Sequence, residues 1–530
     1  MKGKILLAAM IAAVCVGLGI VSFIRTQETS GEDADAEAQD TTTLDWYINY
    51  SWFDSQWGEN IVSKKITEET GVDIEFIVPK GTETEKLDSM INSGTLPDIV
   101  TIGWWEPQNQ EMIESGMVYP LNVLAEAYSP DFFDVVDESR VRWYTQSDGN
   151  IYGYPNYSFT YEDFENNELT SHQNFLVRKD IYEAIGSPDM TTPEGFAAAV
   201  KAAAEMFPEV DGEPLIPIGC DSFTENGCTS FDNYLLNFLA IPYEQDGQYY
   251  DRYTDPEYIR WLKVFRQLGE DGYLKDEIFI DRRSQLEEKL VQGRYFCLLY
   301  QNKDIEDPQK QIYLEDPERV YMAVEGPRNS AGDDPVLPTQ GINGWSLTYI
   351  SKNCKNPEKA IELMTYMLSE EGQKLAYIGE EGTMYTQEGD VTTIKPEVLS
   401  LLNSDREAYE AVYGADDTYW MLQNGVSQLQ WQTPMLDCFA QLRDWTRPYV
   451  AYTGQYDLSF SDPQTAALYD HMQYLWGITL PKLLMADSDE EFDRILEEYV
   501  QTREEEGYAQ FAAAATQMYK LNKQKLGMEE

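Results

Sequence analysis

Gly94-Thr95-Leu96-Pro97-Asp98-Ile99-Val100-Thr101-Ile102-Gly103-Trp104-Trp105 is the stretch whose reading decides the fold. A turn from Gly94 to Pro97 delivers Asp98 to a short β-branched run, Ile99 to Ile102, bounded by Gly103. Such a run between turn signals predicts a strand buried on both faces, as in parallel sheets. Ligands of open α/β sheets lie just beyond the carboxyl ends of the strands, where Trp104 and Trp105 stand. Neighbouring residues of an extended chain point to opposite sides, so one indole can pack inward while the other faces a crevice.

The segments around this strand repeat the pattern. Leu44–Tyr50 alternates and reads as a strand, a helix runs after Gly58 to about Thr70, and Val72–Val78 is a second strand. Thr82–Asn92 is amphipathic, and Pro107–Glu114 reads as a helix after the opening strand. This βαβαβα order predicts a parallel, doubly wound sheet. Further on, Asn150–Tyr157 is a short strand interrupted by Pro155, and Asn174–Arg178 is a strand. Thr192 caps a helix that Pro193 opens and that runs to Phe207. Arg283–Gln292 reads as a helix. Tyr295–Tyr300, Val320–Val324 and Trp345–Ile350 are further strands, and from Pro357 onward the chain is overwhelmingly helical.

With 530 residues, the chain exceeds what one core usually organises, so two or three lobes are expected. Its 42% hydrophobic and 13% aromatic content supplies sizeable cores. The formal charge, 39 − 93 = −54, argues against nucleic acid or an anionic membrane surface as partner, and against a strongly anionic ligand. Neutral polar ligands fit best. Only His172 and His471 are present, and the six cysteines show no CxxC spacing, so zinc chemistry and histidine base catalysis are not expected. No catalytic residues, metal or cofactor are assigned. Cys220 and Cys228 flank a turn and can either pair, if exported, or remain thiols. Cys297 reads as core.

The N-terminus is a separate device. Lys2 and Lys4 precede an uncharged apolar run, Ile5–Ile24, roughly 30 Å long at helical rise. Residues 1–25 therefore read as an export signal or membrane anchor. The alternatives are an uncleaved anchor, lipidation at Cys15 (which follows Val14 rather than a small residue) and cleavage. All three export the remainder, and the first two tether it at the extracellular face of the membrane. Residues 26–43 are an acidic, flexible linker.

Taken in order, several pieces resemble the extracellular solute-binding proteins of ABC sugar importers, in the family 1, oligosaccharide-binding branch of larger Gram-positive type. They are Gly94-Thr-Leu-Pro-Asp-Ile-Val100, Asn150-Ile-Tyr-Gly-Tyr-Pro155, Val177-Arg-Lys-Asp-Ile-Tyr182 and Thr192-Pro-Glu-Gly-Phe196. Gln292-Gly-Arg-Tyr-Phe-Cys297, Gly344-Trp-Ser-Leu347, Asn356-Pro-Glu-Lys-Ala360, Leu368-Ser-Glu-Glu-Gly372 and Gly379-Glu-Glu-Gly-Thr-Met-Tyr385 follow. The resemblance implies a periplasmic-binding-protein-like α/β fold: two α/β lobes joined by a multi-strand hinge, with a largely helical C-terminal part. Lobe one is expected at 44–155 and 294–345, and lobe two at 156–293 and 346–530, with crossings near Pro155, Tyr300 and Trp345. The implied function is a membrane-tethered, monomeric receptor that binds a neutral oligosaccharide by hinge closure and delivers it to an ABC permease, without turnover.

A sugar offers an apolar face to aromatic platforms and a hydroxyl rim to polar side chains. On that chemistry the candidate ligand-binding residues are Trp104, Trp105 and Glu106 after the opening strand, and Trp52 and Trp57 after the first. Asn156 and Tyr157 follow the hinge proline, and Trp345, Tyr385, Trp420 and Trp431 lie further on. For each, ordinary packing is the competing reading. Trp46, Trp143, Trp261, Trp445 and Trp476 read as core. Two rival functions share the sugar cleft. One is an extracellular glycoside hydrolase or polysaccharide lyase, which needs a carboxylate pair about 5–10 Å apart. The other is a sensory ectodomain that binds sugar without transport.

Overall fold

The strands expected from β-branched and aromatic runs form two sheets. In the computed structural model, which describes residues 41–528 apart from 81–82, 390, 432–433, 461 and the side chain of Thr84, the sheet strands in chain order are as follows. They are β1 (Thr42–Ile48), β2 (Val72–Ile77), β3 (Ile99–Gly103), β4 (Gly153–Pro155), β5 (Gln173–Arg178), β6 (Ile216–Gly219), β7 (Tyr295–Gln301), β8 (Tyr321–Ala323) and β9 (Ser346–Ile350). The apolar N-terminal run, Cys15 and nearly all of the acidic linker lie outside the described residues.

The first sheet has the order β2-β1-β3-β9-β4. β1 runs parallel to β2 and β3, with Trp46 opposite both Phe76 and Ile99. Those three strands are the parallel unit that the sequence predicts. β9 then enters antiparallel, pairing Ser346 with Gly103 and Ile350 with Ile99, and β4 pairs with it, Pro155 opposite Leu347. The sheet is therefore mixed rather than wholly parallel. Every residue of β3 is buried, as a central strand with helices on both faces requires.

Asp98 explains the polar residue that precedes β3. It is buried, its Oδ2 accepts the Asp45 N–H at 2.8 Å, and its Oδ1 accepts the Lys355 N–H at 2.7 Å. One carboxylate thus satisfies backbone donors from β1 and from the turn beyond β9, fixing three segments together.

The second sheet has the order β8-β5-β7-β6. β7 is antiparallel to β5 (Leu299 opposite Phe175) and parallel to β6 (Cys297 opposite Ile218). This corrects the expected lobe boundaries. Within 294–345, β7 and β8 belong with β5 and β6, whereas Trp345 and β9 join the first sheet's lobe and the helix Pro357–Leu368 packs Ile361, Leu363 and Met364 into that sheet's core. The apolar run Tyr295–Tyr300 is buried on both faces wherever it pairs, so its pattern names no partner. Tyr300 consequently lies inside a strand, not at a crossing.

Each sheet organises its own core. The first contains Trp46, Phe53, Met364, Tyr419 and Trp420; the second contains Phe196, Trp261, Leu298, Trp476 and Phe492. The chain leaves the first after Pro155, returns before β9, and departs again between Leu422 and Cys438. The long C-terminal helices Pro463–Leu484, Asp489–Glu505 and Tyr508–Lys525 serve the second core. The helix Pro193–Met206 begins as the sequence predicts, with Thr192 Oγ1 accepting the Gly195 N–H at 3.2 Å. Gly195 is required there, since a Cβ would stand 2.2 Å from the Asp189 carbonyl. Cys220 and Cys228 are buried free thiols, and Cys297 is buried in the core. Trp46, Trp261 and Trp476 are fully buried, while Trp143 and Trp445 are only partly so.

Candidate functional site

β1 and β3 run parallel and end side by side, and β9 starts opposite the end of β3. The residues just beyond these ends therefore converge by register alone. They are Asn49–Trp52 after β1, Trp104–Glu106 after β3 and Trp345 before β9. The Trp104 N–H donates to the Trp345 carbonyl at 3.4 Å, continuing the β3–β9 ladder by one step.

Four aromatic rings stack at this place. Trp345 lies on Tyr50 with centroids 4.8 Å apart, and on Trp52 at 5.8 Å with planes 13° from parallel. Trp420, from a single 3-10 turn at Trp420–Leu422, packs against Trp345 at 4.5 Å and against Trp52 at 5.8 Å. Trp420 is 5% exposed and Tyr50 6%, whereas Trp52 is 56% exposed. The stack therefore grades from core to solvent and presents a supported indole outward. Beside it Trp105, 52% exposed, meets Trp104 edge to face at 6.1 Å and lies over Gly103, where a Cβ would sit 2.7 Å from its ring. Two large indoles, Trp52 and Trp105, are thus left open beyond the carboxyl ends of β1 and β3.

Asn156 is the joint behind the platform. It is fully buried. Its Nδ2 donates to the Trp420 carbonyl at 3.0 Å, and its Oδ1 accepts the Ser346 N–H at 2.7 Å. Its backbone N–H donates to Ser346 at 3.1 Å and its carbonyl accepts from Trp345 at 3.3 Å. Gly344 makes that approach feasible: φ is 64° and a Cβ would stand 1.9 Å from the Asn156 carbonyl. With its amide already engaged, Asn156 positions the platform rather than facing a ligand. Tyr157 is engaged likewise, in a left-handed conformation (φ 45°). Its hydroxyl donates to Asp417 Oδ1 at 2.7 Å and lies 3.2 Å from Gln423 Oε1.

Asp416 and Asp417 are both left-handed, at φ 50° and 58°. Burial and the adjacent Asp417 charge push the Asp416 carboxyl up to about 6. Burial acts on Asp417 too, but Lys303 and the Tyr157 hydroxyl prevail and hold it below the usual carboxylate range. Lys303, in the loop after β7, reaches Asp417 at 3.4 Å, an ion pair from the second sheet's lobe to the first's. Glu106 is half-buried, and its carboxyl is raised by burial first, then by Glu83 and Asp88.

The other expected residues lie apart. Trp57 donates from Nε1 to Thr67 Oγ1 at 3.0 Å and packs on Tyr419 at 4.8 Å. It borders a groove of about 630 Å³ between the loop at Ser51–Trp57 and the end of β2, lined also by Asp54, Phe76 and Lys80. Tyr385 and Trp431 are buried together with Ile378 in a small separate cluster. Trp431 is thus placed as packing, not beside Trp52. The structure brings together Trp52, Trp104, Trp105, Glu106, Trp345 and Trp420, with Asn156 behind them. Tyr50 and the Lys303–Asp417 pair went unforeseen. Tyr50 had a signal, since an aromatic at a strand's carboxyl end is the rule that selected Trp104. The ion pair had none.

Against known proteins, a model of the family described as bacterial extracellular solute-binding protein matches residues 62–386. The fructooligosaccharide ABC transporter substrate-binding protein FusA of Streptococcus pneumoniae is 24% identical over 232 residues, 42% of this chain and 42% of that protein. The matched stretch thus spans less than half the length of that curated relative. Among solved structures, S. pneumoniae FusA in complex with kestose superposes with a TM-score of 0.70 at 17% identity, covering 91% of this chain and 99% of that one. Alginate-binding protein AlgQ2 gives 0.67 at 19%, covering 92% and 100%. The N-glycan transport solute-binding protein NgtS from S. pneumoniae gives 0.59 at 15%, covering 91% and 99%. These likenesses establish the periplasmic-binding-protein-like fold.

Proposed function

The chain belongs to the bacterial extracellular solute-binding proteins, and from that premise we propose that it is a receptor for a neutral oligosaccharide, captured between two lobes and delivered to an ABC importer. The observation that carries the reading is the graded stack Trp420–Trp345–Trp52, which ends in an open indole at the carboxyl ends of β1 and β3. An indole so supported is held flat and fixed, so a sugar's C–H face docks on it without ordering a mobile side chain. Names of similar proteins support the substrate class: kestose, fructooligosaccharide and N-glycan binders are among them.

Binding proceeds by closure. The ligand settles on the platform of the first lobe, and the second lobe swings over it about the three crossings. Lys303, reaching Asp417 across the lobes, favours the closed arrangement. Only ligand contacts present in the closed form shift that equilibrium, so closure reports occupancy to a permease. The receptor works as a monomer without turnover. It is held at the extracellular face by residues 1–25, as an uncleaved anchor or through lipidated Cys15. Among the described residues no helix is long and apolar enough to cross a membrane.

A thermal-shift screen across plant, host and microbial oligosaccharides tests this. A true ligand at a hundredfold excess over its Kd stabilises by about 2.7 kcal/mol. Absence of stabilisation by any carbohydrate would sink the reading.

A further inference from the structure

The groove beside Trp57 takes no part in the aromatic stack, yet it begins where the stack ends. β2 runs parallel to β1 with Ile77 opposite Tyr47, so the chain leaves both strands on one edge of the sheet. The space of about 630 Å³ opens between Ser51–Trp57, which follow β1, and Val78–Lys80, which follow β2. Ser51, on its wall, is the residue directly before Trp52. Because β2 is the outer strand of the sheet, the groove continues the platform outward, away from β9. Its volume lies within the range of small-molecule sites, about 300–1,000 Å³.

The floor of the groove is aromatic and fixed. Phe76 meets Phe53 edge to face at 4.9 Å and Trp57 at 6.0 Å. Phe53 in turn meets Trp420 at 6.1 Å, so groove and stack share one aromatic underlayer. The Trp57 indole N–H is engaged by Thr67 Oγ1, which holds the half-buried ring in place. The loop that carries it is pinned as well: Ser55 Oγ donates to Glu410 Oε2 at 3.0 Å, and the Tyr419 hydroxyl donates to the Gln56 carbonyl. A ligand entering here meets walls that need no ordering.

The walls carry polar groups of both signs. Asp54, Glu75 and Lys80 are exposed along the groove, and among the described residues none of them is in an ion pair. Two carboxylates accept and one ammonium donates, which suits the hydroxyls of a neutral sugar, each of them donor and acceptor at once. Rings below and polar groups at the rim answer the two kinds of surface that a sugar offers.

We propose that this groove is a second subsite of the same ligand site: a linear, neutral oligosaccharide docks one end on Trp52 and lays its further units along the end of β2 over Trp57, so that the receptor selects for chain length. This rests on the carbohydrate-receptor reading and deepens it, naming a tetrasaccharide or longer chain as the preferred ligand. A short sugar meets the platform alone, whereas units that enter the groove add contacts within one binding event and tighten it.

Calorimetry on the full chain tests it with four linear series, each from disaccharide to hexasaccharide: fructans of the kestose type, maltodextrins, mannans and xylans. The expected result is one-to-one binding within at least one series, about ten-fold tighter for the pentasaccharide than for the disaccharide. Trp57→Ala, and separately the rim variant Asp54→Ala/Lys80→Ala, should each cut that ratio to about two-fold or less, while Trp52→Ala weakens long and short members alike. The rim variant removes exposed side chains only, so it reads the groove even where loss of the Trp57 ring disturbs the loop. An affinity that does not rise with chain length, a length preference unchanged in either variant, or two-to-one binding with the groove filled independently of the platform would overturn the inference. So would binding by none of the four series while another carbohydrate of the thermal-shift panel stabilises the protein; the receptor reading would then stand. Failure of every carbohydrate would remove both.

Discussion

The side-chain amide of Asn156 donates to the carbonyl of Trp420 at 3.0 Å, tying the residue just past β4 to the deepest ring of the aromatic stack. The other end of that amide accepts from Ser346 at the start of β9. Three segments distant in sequence are thereby joined at one buried side chain. Asn156→Ala leaves a carbonyl and an N–H unpaired in the interior, at a cost of about 2–4 kcal/mol. Chemical denaturation checks this, and a loss under about 1 kcal/mol would mean that the joint is not structural.

Trp52 and Trp420 belong to one stack but differ tenfold in exposure, so stability and affinity should separate between them. Trp52→Ala should scarcely alter stability and weaken ligand binding by about 1–3 kcal/mol. Trp420→Ala should destabilise the fold by about 3–5 kcal/mol. Paired denaturation and calorimetry measure both quantities. An affinity unchanged in Trp52→Ala would remove the platform from the site.

Trp431 gives the contrasting case. It packs with Tyr385 and Ile378 away from the stack. Trp431→Ala should lower stability by about 2–4 kcal/mol and leave affinity unchanged. A large loss of affinity with little loss of stability would return Trp431 to the ligand site.

Asp457 supplies a pH dependence. Its Oδ2 accepts from Asn343 Nδ2 at 2.8 Å, and the Asn343 Oδ1 accepts from Trp143 Nε1 at 2.8 Å, linking helix and hinge. Burial pushes its carboxyl up to about 7, against the opposing hydrogen bond from Asn343. The folded state thus holds this proton more tightly than the unfolded chain, whose carboxyl titrates near 3.9. That contribution to stability is complete below roughly pH 4 and is lost as pH rises through about 7. Asp457→Asn carries no such charge. Relative to wild type it should gain about 1–3 kcal/mol between roughly pH 5 and pH 8, allowing for the residue's partial solvent access. Parallel pH profiles for the two proteins would contradict this.

The parallel half of the first sheet was legible because its information is local. Ile99–Ile102, Leu44–Tyr50 and Val72–Val78 each carry a strand pattern with a helix between them, and short right-handed connections leave little choice of neighbour. The destination of Tyr295–Tyr300 was not legible, since a run buried on both faces looks the same in either sheet and its pairing is decided by residues far away in sequence. The site followed the same division. Trp52, Trp104 and Trp105 are candidates by a rule about strand ends, and the structure places them beyond the ends of β1 and β3. Trp420 and Trp431 sit in irregular helical segments, where amides flank an indole whether it packs or binds, and only tertiary placement separates them. Asn156 was selected as a ligand contact because a polar residue after a hinge proline often faces a cleft. Its burial between Trp345 and Trp420 depends on Gly344, distant in sequence.

Calorimetry followed by chromatography of the same mixture tests the central claim most directly. The account predicts saturable one-to-one binding of an oligosaccharide, weakened in Trp52→Ala, with the sugar recovered intact. Recovery of shortened or otherwise altered sugar would contradict it and make the cleft an active site.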